Sequence, residues 1–129
     1  MNDEHGHPVG DELLRAVSDR LTGLLRRGDI AARLGGDEFV IVQTGATHSG
    51  ETEMLARRVA RAIAQPFSIA GRQVTIGASV GYALFPEQGL DLEVLVQRAD
   101  QALVRVKREG GGVARYRAEA PERATRLSA

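Results

Sequence analysis

The sequence predicts an α/β (α+β) domain whose mainly antiparallel sheet is flanked by helices. Three segments repeat apolar residues every three or four positions, which is the spacing of amphipathic helices. Strand-like apolar runs flank glycine-containing turns, and the segments follow the order helix, hairpin, helix, hairpin and strand, helix, strand. At 129 residues, with 43% hydrophobic residues and no cysteine, the chain can bury a core without disulfides.

Charge and hydropathy exclude several classes of protein. The 17 basic and 17 acidic side chains balance, and no basic block is mixed with aromatic residues, which argues against a dedicated nucleic-acid binder. The apolar runs are far too short to span a bilayer, and the polar N-terminus does not resemble a secretory signal. The absence of cysteine fits a reducing compartment. We therefore expect a cytoplasmic protein with no membrane partner.

The first half of the chain predicts a helix, a hairpin and a second helix. Residues 8–27 carry leucines and a valine at helical spacing. Two strands, 30–34 and 39–42, flank a turn of two glycines and two acidic residues, and the second strand is apolar on both faces, which is typical of an interior strand. The second helix covers 51–64 and is stopped by Pro66.

The second half predicts a small hairpin, a long strand, a helix and a last strand. The hairpin joins 67–69 to 73–75. Side chains alternate from Val74 to Leu84, and one face is nearly bare, so a helix can lie close against it. The third helix, 91–109, ends at three glycines, and a short strand over 113–116 follows.

Several polar clusters are candidates for chemistry, and each has an ordinary structural alternative. Asp37 and Glu38, preceded by Gly35 and Gly36, suit a hard cation and a phosphate chain, but a solvated acidic turn has the same composition. Amide and carboxylate side chains at Asn2 and Asp11 suit a purine edge, although Asp11 also suits a helix N-terminus. Near helix ends, Arg26 and Lys107 balance the helix dipole, and phosphate contact is the alternative for Lys107.

These clusters combine into a resemblance to one family. ArgLeuGlyGlyAspGluPhe at 33–39 resembles the signature of GGDEF diguanylate cyclases, and three further motifs follow the family's order. They are AsnAspxxGlyHisxxGlyAsp at 2–11, a strand similar to VTxSxGxAxxP at 74–86, and AlaAspxAlaLeuxxxLys at 99–107. The resemblance implies a nucleotide-cyclase, ferredoxin-like GGDEF fold over residues 1–117, with 118–129 as a flexible tail.

The resemblance implies a reaction and a set of roles. Two GTP molecules condense to cyclic di-GMP with release of pyrophosphate, and the domain acts as a homodimer in bacterial signalling. The resemblance also implies that magnesium or manganese ions assist this condensation. The implied roles are guanine reading by Asn2 and Asp11, metal binding and catalysis by Asp37 and Glu38, phosphate contact at Gly35, Gly36 and Lys107, and product inhibition at Arg26, Asp29 and Arg58 or Arg57.

The chain also departs from the family pattern. The family's first helix, with DxLTGLxNR, and its first strand, with LDxDxF, normally precede the AsnAsp segment and are missing here, and Gly111 replaces a phosphate-contacting arginine. We therefore expect a truncated domain, weak or inactive alone, that pairs as a homodimer or strand-sharing oligomer. The alternative is a non-catalytic module that binds GTP or cyclic di-GMP.

Overall fold

The computed structural model describes residues 6–35 and 38–117, with side chains from residue 10 onward. Helices and strands follow the predicted order, and the α+β class is confirmed. The elements are α1 (Gly6–Thr22), β1 (Ile30–Gly35), β2 (Glu38–Val42), α2 (Ser49–Ile63), β3 (Phe67–Ile69), β4 (Arg72–Val74), β5 (Ser79–Tyr82), α3 (Leu92–Arg108) and β6 (Gly112–Arg115).

Helix α1 is shorter than predicted at its C-terminal end. It ends at Thr22 rather than at residue 27, because Gly23 has a low helix propensity and Leu24 already forms a tighter turn, its N–H donating to the Leu21 carbonyl three residues back. The apolar periodicity that continues to Leu25 therefore belongs to a loop. This loop, 23–29, carries two of the predicted site residues.

The predicted hairpin of β1 and β2 is present. The strands are antiparallel, from Ile30 opposite Val42 to Gly35 opposite Glu38, with a register shift between Arg33 and Gly35. The connecting residues 36 and 37 lie outside the described residues. The apolar residues of β2 are only half-buried, so the prediction of an interior strand covered on both faces is wrong for the described chain.

The strands form three separate pairs, two antiparallel and one parallel. β1 pairs with β2, β3 with β4, and β5 with β6, and β5 and β6 run parallel. The predicted long strand over 74–84 is wrong, because residues 75–78 have no ladder partner among the described residues. Burial still alternates there, since Ile76 and Ala78 are half-buried while Thr75 and Gly77 are exposed. The sequence pattern thus persists where the hydrogen-bonded ladder does not.

Two apolar clusters hold these elements together. One side of α3 packs on β6 in the smaller cluster, which buries Ala102, Val106 and Ala114. The larger cluster joins α1, α2 and β3, and it buries Leu13, Val17, Leu21, Val59, Ile63, Phe67 and Ile69. Burying aliphatic and aromatic side chains of this size contributes about 1.5–3 kcal/mol each.

The bare face of β5 is covered by α3, as the alternating pattern predicted. Gly81 lies directly beneath the helix, and a Cβ atom built there would be 2.3 Å from both the Ala99 carbonyl oxygen and the Leu103 amide nitrogen. Helix α3 begins at the Asp91 cap, whose carboxylate accepts from the Val94 N–H at 2.9 Å. At its other end Gly111 donates to the Val106 carbonyl, as expected for a glycine C-cap.

Candidate functional site

A pocket lies at the base of the β1–β2 hairpin, at the opposite end from the acidic turn. The loop after α1 contributes Leu24, Arg26 and Asp29, and Gln43 is the first residue after β2. The rest of the wall comes from α2, and the complete lining is Leu24, Arg26, Asp29, Gln43, Glu51, Met54, Leu55 and Arg58. The structure therefore brings together the three residues predicted for the inhibitory product site.

Hairpin register explains why the loop residues meet the end of β2. Ile30 is opposite Val42, so Asp29 and Gln43 are the next positions outward on the two strands. Asp29 closes this end of the hairpin: one carboxylate oxygen accepts from the Arg26 N–H at 3.0 Å and the other from the Thr44 N–H at 2.9 Å. Asp29 thus fixes the shape of the pocket wall as well as contributing charge.

These hydrogen bonds shift the titration of Asp29. The pKa of its carboxyl group is lowered from the ordinary 3.8, chiefly because the Thr44 backbone N–H donates to the charged form. The folded protein consequently holds this charge to a lower pH than the unfolded chain does.

The lowered pKa of Asp29 predicts a stability difference that depends on pH. The stabilisation is fully present above the unfolded pKa of about 4 and is lost as pH falls through the lower folded pKa. We expect Asp29→Asn to be less stable than the wild type at neutral pH, with the gap in unfolding free energy shrinking below about pH 4. Urea unfolding of both proteins across this range measures the gap. A gap that does not change with pH contradicts the role of the ionised carboxylate.

Helix α2 presents one face to the pocket. Glu51, Met54, Leu55 and Arg58 are spaced by three and four residues, which places them on one side of the helix. Arg57 is on another side, where its Nε donates to Glu53 Oε2 at 3.2 Å. The geometry therefore selects Arg58, rather than Arg57, as the arginine that accompanies Arg26.

Glu51 is a second carboxylate of the pocket that the sequence analysis missed. Its Oε1 accepts from the Thr47 hydroxyl at 2.8 Å, and this hydrogen bond is the main reason that the pKa of Glu51 is lowered. Helical spacing from Arg58 was the available signal, since Glu51 is seven residues, or two turns, before it. The pocket therefore combines two guanidinium groups with two carboxylates.

The residues predicted for catalysis and substrate binding are described only in part. Gly35, with φ of 150°, is the last residue of β1, and the exposed Glu38 is the first of β2. Asp11 is exposed on α1, and Lys107 is exposed in the last turn of α3. Asn2, Gly36 and Asp37 lie outside the described residues.

The described part of the chain does not by itself make a metal centre. Within residues 6–35 and 38–117, no three histidine, aspartate or glutamate side chains come together as a cation site would require. Glu38 is the one member of the predicted metal pair that is described.

Comparison with known proteins identifies the family. The family model for the diguanylate cyclase GGDEF domain matches residues 1–112. The chain belongs to the GGDEF family. Among its relatives is the bifunctional diguanylate cyclase/cyclic di-GMP phosphodiesterase MucR of Pseudomonas aeruginosa, which is 39% identical over 110 residues, or 85% of this chain and 16% of MucR. The chain thus spans about a sixth of that relative.

Solved structures agree with the fold. The GGDEF domain of PA1120 (TpbB or YfiN) from Pseudomonas aeruginosa matches with a TM-score of 0.87 and 29% identity over 96% of this chain and 73% of that one. The GGDEF domain of DgcB from Caulobacter crescentus, in complex with c-di-GMP, matches with a TM-score of 0.72 and 26% identity, covering 88% of this chain and 68% of that one. Among the described residues, no helix is long and apolar enough to cross a membrane.

Proposed function

We propose that this chain is a GGDEF-type diguanylate cyclase domain that condenses two GTP into cyclic di-GMP and is inhibited by cyclic di-GMP at the pocket beside Arg26. The observation that carries the proposal is the convergence of Arg26, Asp29 and Arg58 on one pocket of a GGDEF domain. Guanidinium groups form paired hydrogen bonds with phosphate oxygens and with the O6 and N7 edge of guanine, and carboxylates accept from its N–H groups.

The hairpin separates the proposed inhibitory pocket from the proposed catalytic turn. Asp29 and Gln43 are at one end of β1 and β2, and Gly35 and Glu38 are at the other. The five residue steps from Glu38 to Gln43, at about 3.4 Å each, place the two ends about 17 Å apart. Product bound at Arg26 therefore leaves the turn uncovered, and inhibition acts through the hairpin or through the arrangement of two domains.

We assign the reacting groups to the GGDEF turn. Asp37 and Glu38 would hold Mg²⁺ or Mn²⁺, which would neutralise charge on the phosphates. Asn2 and Asp11 read guanine, while Gly35, Gly36 and Lys107 contact the phosphates. The presence of Asp37 and Glu38 together in the sequence, at the end of a hairpin, supports this assignment.

Two domains are needed for the reaction, and the strands offer a physical reason for association. Among the described residues, β2 pairs only with β1, and β5 pairs only with β6, so each has one edge without a strand partner. Open strand edges pair readily with another chain. We propose a homodimer or strand-sharing oligomer as the active form.

The experiment for the proposed function is incubation of the 129-residue chain with GTP and Mg²⁺ at high protein concentration, followed by chromatography and mass analysis for cyclic di-GMP. Production of cyclic di-GMP that stops when EDTA is added supports the cyclase. A folded sample that makes none favours the second candidate, a module that binds GTP or cyclic di-GMP without turnover. Gly111, which stands where the family has an arginine, favours that candidate.

The proposed inhibitory site makes a prediction that separates two adjacent arginines. Arg58→Ala removes a guanidinium from the pocket wall, so we expect cyclic di-GMP affinity to fall about 10- to 100-fold, the value of one or two charge-assisted hydrogen bonds. Arg57→Ala removes only the exposed pair with Glu53, so its affinity stays within about twofold of wild type. Isothermal titration calorimetry measures both. Equal losses in the two variants contradict the assignment of Arg58.

A further inference from the structure

Arg20 joins the end of helix α1 to the end of helix α2. Its Nη1 donates to the carbonyl oxygens of Ala62 and Gln65 at 2.9 and 2.7 Å, and its Nη2 donates to that of Pro66 at 2.9 Å. The guanidinium group also lies 3.5 Å from the centroid of the Phe67 ring, which is buried. The last carbonyls of a helix lack regular partners within it, and Arg20 supplies donors to that end of α2.

These hydrogen bonds fix a movement that apolar packing resists less strongly. Leu21 of α1 and Val59 and Ile63 of α2 are buried together in the larger core. Hydrophobic contact is non-directional, so it opposes separation of the two helices more than sliding of one along the other. Hydrogen bonds weaken steeply when they are misaligned. Three of them from one planar group therefore hold α1 at one position along α2.

The two ends that Arg20 joins carry the two arginines of the pocket. Arg58 is one turn before Ala62 on α2. Arg26 is four residues after the end of α1, and the N–H groups of residues 23–25 all donate to carbonyls of the last turn of α1, at 3.0–3.2 Å. The loop is thereby tied to its helix. A shift of α1 along α2 would consequently move Arg26 relative to Arg58.

We propose that Arg20 is a positioning residue that holds Arg26 and Arg58 at the separation that the cyclic dinucleotide requires. The inference rests on the proposed inhibitory site and adds to it the residue that sets the distance between its two guanidinium groups. Arg20 is not among the described residues that line the pocket, so it acts through those two side chains. Two guanidinium groups that are already in place need no ordering when the ligand binds, which raises affinity without a further contact.

A double-mutant cycle in the full 129-residue chain tests whether Arg20 acts through Arg58. Arg20→Lys keeps the positive charge, but a lysine is a point charge that cannot reproduce the planar fork of donors. We expect its affinity for cyclic di-GMP to fall about five- to tenfold, measured by titration calorimetry at a temperature where both proteins are folded. In the Arg58→Ala background the same substitution should change the affinity by less than about twofold, because the separation of the two arginines no longer matters.

Arg15→Lys is the matched control for Arg20→Lys. Arg15 is exposed on the same helix and is likewise not among the described residues that line the pocket, so we expect its affinity to stay within about twofold of wild type.

A second measurement needs no ligand. The chain has no cysteine, so Arg27→Cys in the loop and Arg61→Cys on α2, both exposed, place one spin label on each side of the pocket. We expect pulsed electron paramagnetic resonance to show a wider distribution of distances between the labels when Arg20→Lys is added. If the lysine variant does not fold, Arg20→Gln, whose amide still donates to one carbonyl, replaces it in both measurements.

The outcomes distinguish the inference from the proposed site. If wild type binds cyclic di-GMP through Arg58 and Arg20→Lys binds it as tightly, the role of Arg20 is overturned and the site stands. Equal losses from Arg20→Lys in the wild-type and Arg58→Ala backgrounds overturn it as well, because the effect then does not pass through Arg58. An unchanged distribution of label distances also overturns it. If wild type does not bind cyclic di-GMP, the proposed site fails and the inference fails with it.

Discussion

Gly81→Ala is expected to be the most destabilising small substitution in the described chain. The added methyl group has no space, because its carbon would be 2.3 Å from the Ala99 carbonyl oxygen and from the Leu103 amide nitrogen. Both atoms belong to the backbone of α3, so no side-chain rotation relieves the overlap. The helix must move away from β5, and we expect a loss of about 3 kcal/mol or more in unfolding free energy, at the upper end of overpacking effects.

Gly77→Ala is the matched control for Gly81→Ala. Gly77 is exposed, four residues earlier in the same alternating segment, and nothing lies within 4 Å of an added Cβ. We expect its stability to stay within about 0.5 kcal/mol of wild type. Urea unfolding followed by circular dichroism compares the three proteins. Equal stability of Gly81→Ala and Gly77→Ala shows that α3 does not rest on β5 as described.

The same glycine illustrates how far local pattern predicts packing. The alternation from Val74 to Leu84 predicted a bare strand face beneath a helix, and Gly81 under α3 confirms it. The pattern did not predict where the hydrogen-bonded strand ends. Alternating apolar and small residues indicate which face is buried, whereas hydrogen-bonded pairing depends on whether a neighbouring strand is present. Residues 75–78 keep the alternating burial and have no strand partner among the described residues.

Long-range contacts explain what local sequence did not predict. Arg20 donates to the Ala62, Gln65 and Pro66 carbonyls, and its guanidinium lies 3.5 Å from the centroid of the Phe67 ring. These partners are more than 40 residues away, so the periodicity of α1 carries no signal of them. Arg20 thereby ties the end of α1 to the end of α2, between which the larger core lies.

Some residues of the candidate site were predictable from local sequence, and others depended on long-range packing. The RxxD spacing of Arg26 and Asp29 is a local pattern, and the sequence placed both in one motif. Choosing Arg58 over Arg57 required the direction in which α2 packs. Gln43 was not predicted as a pocket residue, because its place beside Asp29 depends on the hairpin register and a single glutamine after a strand has no distinguishing spacing.

Asp37→Ala is expected to abolish the formation of cyclic di-GMP. The alanine removes a carboxylate from the proposed metal pair, and Glu38 alone provides too few oxygen ligands to hold a magnesium ion. Product formation from GTP and Mg²⁺ is followed by mass analysis, together with the affinity for GTP in the presence and absence of Mg²⁺. We expect wild type to bind GTP more tightly when Mg²⁺ is present and the variant to lose this gain.

Two controls make the effect of Asp37→Ala specific. Asp19→Ala removes an exposed carboxylate from α1 and should leave turnover and GTP binding unchanged. Arg26→Ala should keep turnover and lose inhibition by product, because the pocket and the turn are at opposite ends of one hairpin. Asp37→Ala contradicts the assignment if it still turns over GTP, or if Mg²⁺ increases its affinity for GTP as much as it does for wild type. The metal-binding carboxylates would then lie elsewhere in the chain. The proposed role of the pocket in product inhibition would be unaffected by that result, because the pocket and the turn are separate in the fold. The proposed role of the turn in metal binding would be wrong.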